Sequence, residues 1–213
     1  MRSIEEAINE ALKVSKKRRF TQSVDLIIKL RDVDVKKPEN RINITVPLPN
    51  PLSKKAKICV IASGAAITAA KEAGVDLVLT KDDLGKYTDK KSIRKLAQQY
   101  DFFLATPDLM VQIGRQMGQI LGPRGKMPDV IQPNADLKTL VERYRRSVRV
   151  RLRDQPQIMV KVGDEDMEPA KIAENAMAII EEVVRKYGWD KLAEVQVKLT
   201  MGPPIAVKLT SGE

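Results

Sequence analysis

Residues 118–129 read GQILGPRGKMPD, with three glycines, two prolines and two cations in one short stretch. Backbone amides freed by glycine, next to a lysine, are the materials of a phosphate-cradling loop, and nucleotide chemistry is the first possibility to test. A nucleotide-binding P-loop needs G-x-x-x-x-G-K-[ST]. Aligned on Gly125 and Lys126, its first glycine falls on Ile120 and its magnesium-binding hydroxyl on Met127. Two fixed positions fail, and the segment Gly122, Pro123, Arg124, Gly125, Lys126 reads as a loop after a helix, followed by nothing regular, with some other purpose.

Other catalytic groups are scarce. The chain has no histidine and one cysteine, Cys59. Serine or cysteine triads with a histidine base, HExxH zinc sites and Cys-rich metal sites are therefore excluded. Carboxylate pairs remain, at Asp82-Asp83 and at Asp164, Glu165, Asp166. Both neighbour turn-forming glycines and read as solvated turns. No catalytic residue, metal or cofactor is expected.

The 213 residues are enough for one large or two small domains, and 43% hydrophobic with 31% charged is the composition of a globular chain. The net charge of +10 creates a field that attracts polyanions. Nucleic acid and anionic membrane surfaces are the candidate partners, and membrane is the weaker one, because no apolar run approaches the roughly 20 residues of a membrane span. MRSIEEAINEALKV reads as an acidic amphipathic helix, not a signal sequence. A lone cysteine suits the cytoplasm.

Apolar periodicity places these residues on elements. Ile4, Ala7, Ile8, Ala11 and Leu12 predict a helix over 3–15, followed by the basic run Lys16-Lys17-Arg18-Arg19. Residues 23–34 and 40–46 read as strands joined by a turn that carries Lys36 and Lys37. PLPNPL, residues 47–52, reads as a linker, since each proline fixes φ and removes a donor. Then KICVIASG, VDLVLT and DFFLAT alternate with helical stretches, the last being PDLMVQIGRQMGQIL. That predicts parallel βαβ units with helices on both faces. The first turn lacks the dinucleotide fingerprint, so the Rossmann-like pattern does not bring its usual ligand. DLKTLVERYRRS reads as a helix, VRVRLRD as a strand, and QIMVKVG as its pairing partner. A helix from Pro169 to Gly188 follows, then a strand pair, AEVQVKLTMGP and PIAVKLT, around Gly202.

The simplest topology is a terminal domain built from residues 1–51 and 154–213, carrying an insert of residues 52–153. The fold class expected is mixed: a split βαβ-type terminal domain, an antiparallel sheet with helices on one face, and an inserted Rossmann-like three-layer α/β domain. Basic and acidic counts are 11 and 7 for residues 1–51, 7 and 11 for 154–213, and 20 and 10 for 52–153. Charge alone would put the nucleic acid on the insert. Arg143, Arg145, Arg146, Arg149, Arg151 and Arg153 form a basic stripe near its end. Two readings stand: cations that keep a sheet edge from pairing with neighbours, or a phosphate-contacting surface.

Three stretches in order, KRRFTQSVDLIIKL, ILGPRGKMP and VKLTMGPPI, separated by a βαβ insert, resemble the ribosomal protein L-one family in its archaeal type, over essentially the whole chain. The resemblance implies a component of the large ribosomal subunit whose terminal domain, not the insert, contacts the stalk of large-subunit ribosomal RNA. Its RNA-binding residues would be Arg19, Phe20, Ser23, Asp25, Lys36, Lys37, Lys198, Thr200, Met201 and Gly202. It also implies binding to the protein's own messenger RNA with repression of translation, aid to deacylated tRNA leaving the exit site, a cytoplasmic ribosomal location, no enzymatic activity, and a monomer when free. From the residues alone, Phe20 could equally be core and Gly202-Pro203 a hairpin turn. A nonspecific nucleic-acid-coating protein and a nucleotide-binding α/β enzyme are the competing readings.

Overall fold

The computed structural model describes residues 3–87, 89–132 and 136–207. The chain divides into two compact units, Met1–Lys54 with Arg146–Glu213, and Lys55–Arg145.

In the discontinuous unit, helix α1 (Ile4–Val14) is opened by a capping box in which Ser3 Oγ accepts the Glu6 amide and Glu6 reaches back to the Ser3 amide. It buries Ile4, Ala7, Ile8 and Ala11. In strand β1 (Ser23–Leu30), Val24, Leu26, Ile28 and Leu30 point into the core, and Ile27 on the opposite face is buried as well. It is a central strand of a four-stranded antiparallel sheet, between β8 (Gln157–Asp164) and β9 (Leu192–Leu199), with β10 (Ile205–Val207) at the edge. Helix α7 (Pro169–Tyr187) starts on a proline at its first position and ends at Gly188. The two helices and one face of the sheet share a single core; the other face is open.

Two pairings differ from the sequence reading. QIMVKVG, now β8, pairs with β1 and not with the preceding strand. That strand, β7 (Ser147–Arg151), pairs with β2 (Asn43–Pro47) in a separate two-stranded sheet, Pro47 opposite Ser147 and Asn43 opposite Arg151. The long range of the true β1–β8 ladder explains the miss, since local order gives no sign of it. β7 and its flanks thus belong to the terminal unit, and the insert ends at 145 where 153 was expected. Arg146, Arg149, Arg151 and Arg153 move with it. Each unit then carries a net +5, from 23 basic and 18 acidic residues in one and 15 and 10 in the other. The insert does not own the charge.

PLPNPL is not a free linker. Leu48 is buried, and Asn175, wholly buried on α7, accepts the Asn50 amide at 2.9 Å and donates to Asn50 O at 3.0 Å and Val162 O at 2.9 Å. The strand expected over the last residues is β10; its continuation through Lys208, Leu209 and Thr210 lies outside the described residues.

The inserted unit is a parallel sheet in the order β4 (Leu77–Leu79), β3 (Ile58–Ile61), β5 (Phe102–Ala105), β6 (Asp129–Val130). β3 and β5 are buried on both faces. Ile58, Val60, Phe102 and Leu104 pack under α2 (Ala65–Glu72) and α6 (Leu137–Arg145), while Cys59, Ile61, Phe103 and Ala105 pack under α4 (Lys90–Gln99) and α5 (Met110–Arg124). A short capped helix, α3 (Lys81–Leu84), links β4 to α4.

Candidate nucleic-acid interface

The glycine-rich stretch is mostly helix. α5 runs on through Gly118, Gly122 and Pro123 to Arg124, and Gly125, at φ 66°, closes it in the left-handed region. Gly125 N–H donates to Gly122 O and Lys126 N–H to Leu121 O, which satisfies carbonyls at the helix end. The cations face protein. Lys126 Nζ donates to Ala97 O at 2.9 Å and Tyr100 O at 2.7 Å, and Arg124 donates to Arg94 O at 3.3 Å. Ala97 lies in the last turn of α4 and Tyr100 is its C-cap, where the helix dipole favours a cation, while Arg94 is in the middle of the helix. The segment is followed by β6, so it does precede regular structure. It joins α5 to α4 and lies inside the insert.

The insert has a cleft of about 480 Å³ at the carboxyl ends of β3 and β5. Ala65, Ala66, Ala69, Ile131 and Leu137 line it, with the Asp108 carboxylate at its rim. Ser63 Oγ donates to Asp108 at 2.5 Å, and that bond holds the carboxyl below its ordinary range. An anionic rim does not suit a phosphate. Cys59 is an inert thiol, pushed up to about 12 by burial. Asp83 caps α3, and Asp164, expected in solvent, is 4% exposed and bridged to Lys161 at 2.5 Å.

The residues of the resemblance fall mainly at one end of the four-stranded sheet. Thr200 follows β9 directly beside the start of β1: its N–H donates to Ser23 O at 3.0 Å, and its Oγ1 accepts the Ser23 N–H at 3.0 Å. Gln22, 1% exposed, holds three segments together. Its Oε1 accepts the Met201 amide at 3.2 Å, and its Nε2 donates to Lys16 O at 3.2 Å and to Glu165 at 3.1 Å. Around this joint Phe20 and Met201 project into solvent, 52% and 59% exposed. Phe20 is therefore not core. Lys16, Lys17, Arg18 and Arg19 are exposed beside it. Gly202 is both a hairpin residue and a contact point, for a Cβ there would lie 2.1 Å from Ser15 Oγ at the end of α1.

From this end the open face of the sheet continues. Asp25 lies opposite Lys198 on β9 and Lys161 on β8. Burial raises the Asp25 carboxyl above its ordinary range, and the two lysines only partly oppose this. Beyond it come Met159, 60% exposed, Gln196 and the ion pair of Lys29 with Glu194 at 2.7 Å. Lys161, Met159, Gln196 and Gln22 were missed in the sequence. Alternation along QIMVKVG marks the first two; nothing marks Gln22.

Lys36 and Lys37 are not with the others. They sit in the loop that leaves β1 at Leu30, at the opposite end of the sheet from Thr200. The arginine stripe is also divided. Arg143 and Arg145 are on α6 of the insert, where Arg145 donates to Gly74 O at 2.5 Å. Arg149 and Arg151 lie on β7 opposite Thr45 and Asn43, with Arg153 paired to Asp154 at 3.2 Å and Arg146 O accepting the Leu48 amide at 2.9 Å. No single described unit presents all six.

A profile of the Ribosomal protein L1p/L10e family matches residues 11–203. The chain is 55% identical over 208 residues to the large ribosomal subunit protein uL1 of Thermofilum pendens, covering 96% of this chain and 92% of the relative. The uL1 of Pyrobaculum calidifontis is 54% identical over 94% and 91% of the two chains, and that of Aeropyrum pernix 47% over 96% and 94%.

Proposed function

The chain belongs to the ribosomal protein L1p/L10e family, a family of ribosomal proteins and not of enzymes, and on that premise we propose that it is a component of the large ribosomal subunit that binds the stalk of large-subunit ribosomal RNA through its discontinuous unit. The observation that carries this is the joint of Thr200 and Ser23, which fixes Phe20, Met201 and Gly202 as one exposed surface at the end of an open sheet face.

The chemistry of that surface suits folded RNA. RNA is read through backbone, 2′-hydroxyls and displaced bases, because its major groove does not admit side chains. A ring, a thioether and a turn with close-packed main chain offer stacking and apolar contact. The run from Lys16 to Arg19 supplies charge within a Debye length of about 8 Å. The same surface would bind a stalk-like fold in the protein's own messenger RNA and repress translation. The insert, with a net +5 of its own, would face deacylated tRNA and assist its release from the exit site.

Competition tests the reading. Stalk RNA should be preferred over random duplex by more than about tenfold at 0.2 M salt, where nonspecific phosphate binding has weakened. Equal binding of the two would leave a nonspecific nucleic-acid coat, for which the divided arginine stripe offers little support.

A further inference from the structure

The far end of the same sheet is a surface that the Thr200 joint leaves unexplained. There the loop after β1 and the turn after α7 are tied together: Arg31 N–H donates to Lys191 O at 2.8 Å and its guanidinium to Leu192 O at 2.9 Å. Tyr187 donates to Asn40 O at 2.5 Å, and Lys186 Nζ to Arg41 O. On this platform stands Trp189, the chain's single tryptophan, 41% exposed. Lys36 and Lys37 are exposed on the adjoining loop, and neither holds an ion pair among the described residues.

Residues 31–41 and 186–191 together carry six cations against four carboxylates. Asp34 is engaged by the Lys36 amide at 2.9 Å, and Asp190 folds so closely over Gly188 that a Cβ there would lie 2.5 Å from its Oδ1. Asp32 and Glu39 remain in solvent. A ring held half out of the core by a hydrogen-bonded turn, with exposed lysines on the loop tied to that turn, has the composition of a base-stacking platform. Every base has a face that can stack, and lysine takes the neighbouring phosphate. A protein partner would also use an exposed tryptophan, but it gives no reason for the unpaired lysines.

We propose that this end of the discontinuous unit is a second RNA contact, which stacks an unpaired base on Trp189 and holds adjacent phosphates with Lys36 and Lys37. It rests on RNA as the partner proposed above, not on the Thr200 surface. The two ends are separated by the eight residues of β9, roughly 25 Å at strand rise, so one nucleotide cannot serve both.

Because Trp189 is the sole tryptophan, the emission of the full chain reports this end alone. Titration with a single-stranded oligoadenylate of roughly 12 nucleotides should quench it, and an RNA duplex of the same length should not. Anisotropy of an end-labelled oligoadenylate should show binding weakened by about fivefold or more in Trp189→Leu, and weakened also in Lys36→Glu/Lys37→Glu. Thr200→Ala should leave the quenching curve unchanged. The proposal is overturned if labelled single strand binds without quenching, if duplex quenches equally, or if no single strand binds and only a protein partner protects the ring. Loss of stalk preference with quenching intact would instead overturn the Thr200 reading alone.

Discussion

Thr200 Oγ1 accepts the Ser23 amide at 3.0 Å, and the Thr200 amide donates to Ser23 O at 3.0 Å, so the side chain extends the β1–β9 ladder by one rung. The hydroxyl oxygen is thus committed to protein, and its first role is to set the geometry of Met201 and Gly202. Thr200→Ala leaves the Ser23 amide without that acceptor, and stalk-RNA affinity should fall by about 0.5–1.5 kcal/mol. Thr200→Ser should restore it, while the isosteric Thr200→Val should behave like alanine. Filter binding on the three variants decides the matter; full affinity in Thr200→Val would remove the hydroxyl from the account.

Gly202 and Ser15 define a second contact of the same surface. An alanine Cβ at 202 would meet Ser15 Oγ at 2.1 Å and Ser15 Cβ at 3.2 Å. Gly202→Ala should therefore destabilise the unit by about 1–3 kcal/mol, as overpacking does. Ser15 Oγ is itself buried without a hydrogen-bond partner among the described residues. Ser15→Ala should accordingly be neutral or stabilising, and should recover part of the Gly202→Ala loss in the double variant. Thermal unfolding of the four proteins measures the coupling, and strict additivity would show that the two residues do not meet.

Asp25 gives a pH dependence with a definite sign. Burial raises its pKa in the folded state above the ordinary 3.8, against the pull of Lys198 and Lys161. The unfolded chain therefore ionises Asp25 at lower pH than the folded one, and the ionised group subtracts from stability at neutral pH. That penalty fades as pH falls through the raised folded value and is absent below about 3.8. Asp25→Asn should thus be more stable than the wild type at pH 7, with the difference shrinking on acidification. A gain that is the same at pH 7 and below pH 4 would refute this.

How much of this was legible follows from the range of each interaction. Helix α1, helix α7 and the buried strands of the insert are written in local periodicity, and Ser3 with Glu6, Pro169 and Gly188 mark their ends. The β1–β8 pairing joins residues such as Asp25 and Lys161 that no local pattern connects, so β8 was assigned to its sequence neighbour. The stretch from Gly122 reads as a loop, but the helix runs on through Pro123 to Arg124, and the Gly125 and Lys126 amides close it just beyond. Among site residues, the motif Thr200-Met201-Gly202 and Phe20 stood out as residue types. Gln22 did not, because a buried glutamine reads as an ordinary polar residue until its three partners are seen. Lys36 and Lys37 were grouped with Phe20 by resemblance, and only the direction of β1 separates them.

Lys126 answers the question raised by the glycine-rich stretch. Its ammonium donates to Ala97 O and Tyr100 O, closing α4 from outside. Lys126→Met keeps the stem and removes both bonds, so the insert should lose about 1–2 kcal/mol of stability. Stalk-RNA binding at 0.2 M salt should be unchanged, since the lysine is not at the proposed interface. A variant of wild-type stability with weakened RNA binding would return the stretch to the phosphate chemistry its composition suggests.

The division of labour between units can be tested by excision. The discontinuous unit keeps its own core of α1, α7, the four-stranded sheet and the β2–β7 pair, and among the described residues that core holds none from Lys55–Arg145. The two crossing segments are already joined, Pro47 opposite Ser147 and Leu48 N–H on Arg146 O at 2.9 Å. Replacing Lys55–Arg145 by a short glycine bridge should therefore leave a folded protein, which circular dichroism and a cooperative melt would verify. That protein carries the Thr200 joint, the open sheet face and a net +5. It should keep its preference for stalk RNA over duplex, while absolute affinity drops by a salt-dependent factor on the order of tenfold from the lost charge of the insert. The shallower salt dependence is the sharper readout, because it separates phosphate attraction supplied by the insert from shape recognition supplied by the termini. A folded, excised protein without preference, alongside an isolated insert that selects the stalk, would move recognition to the insert and overturn the assignment.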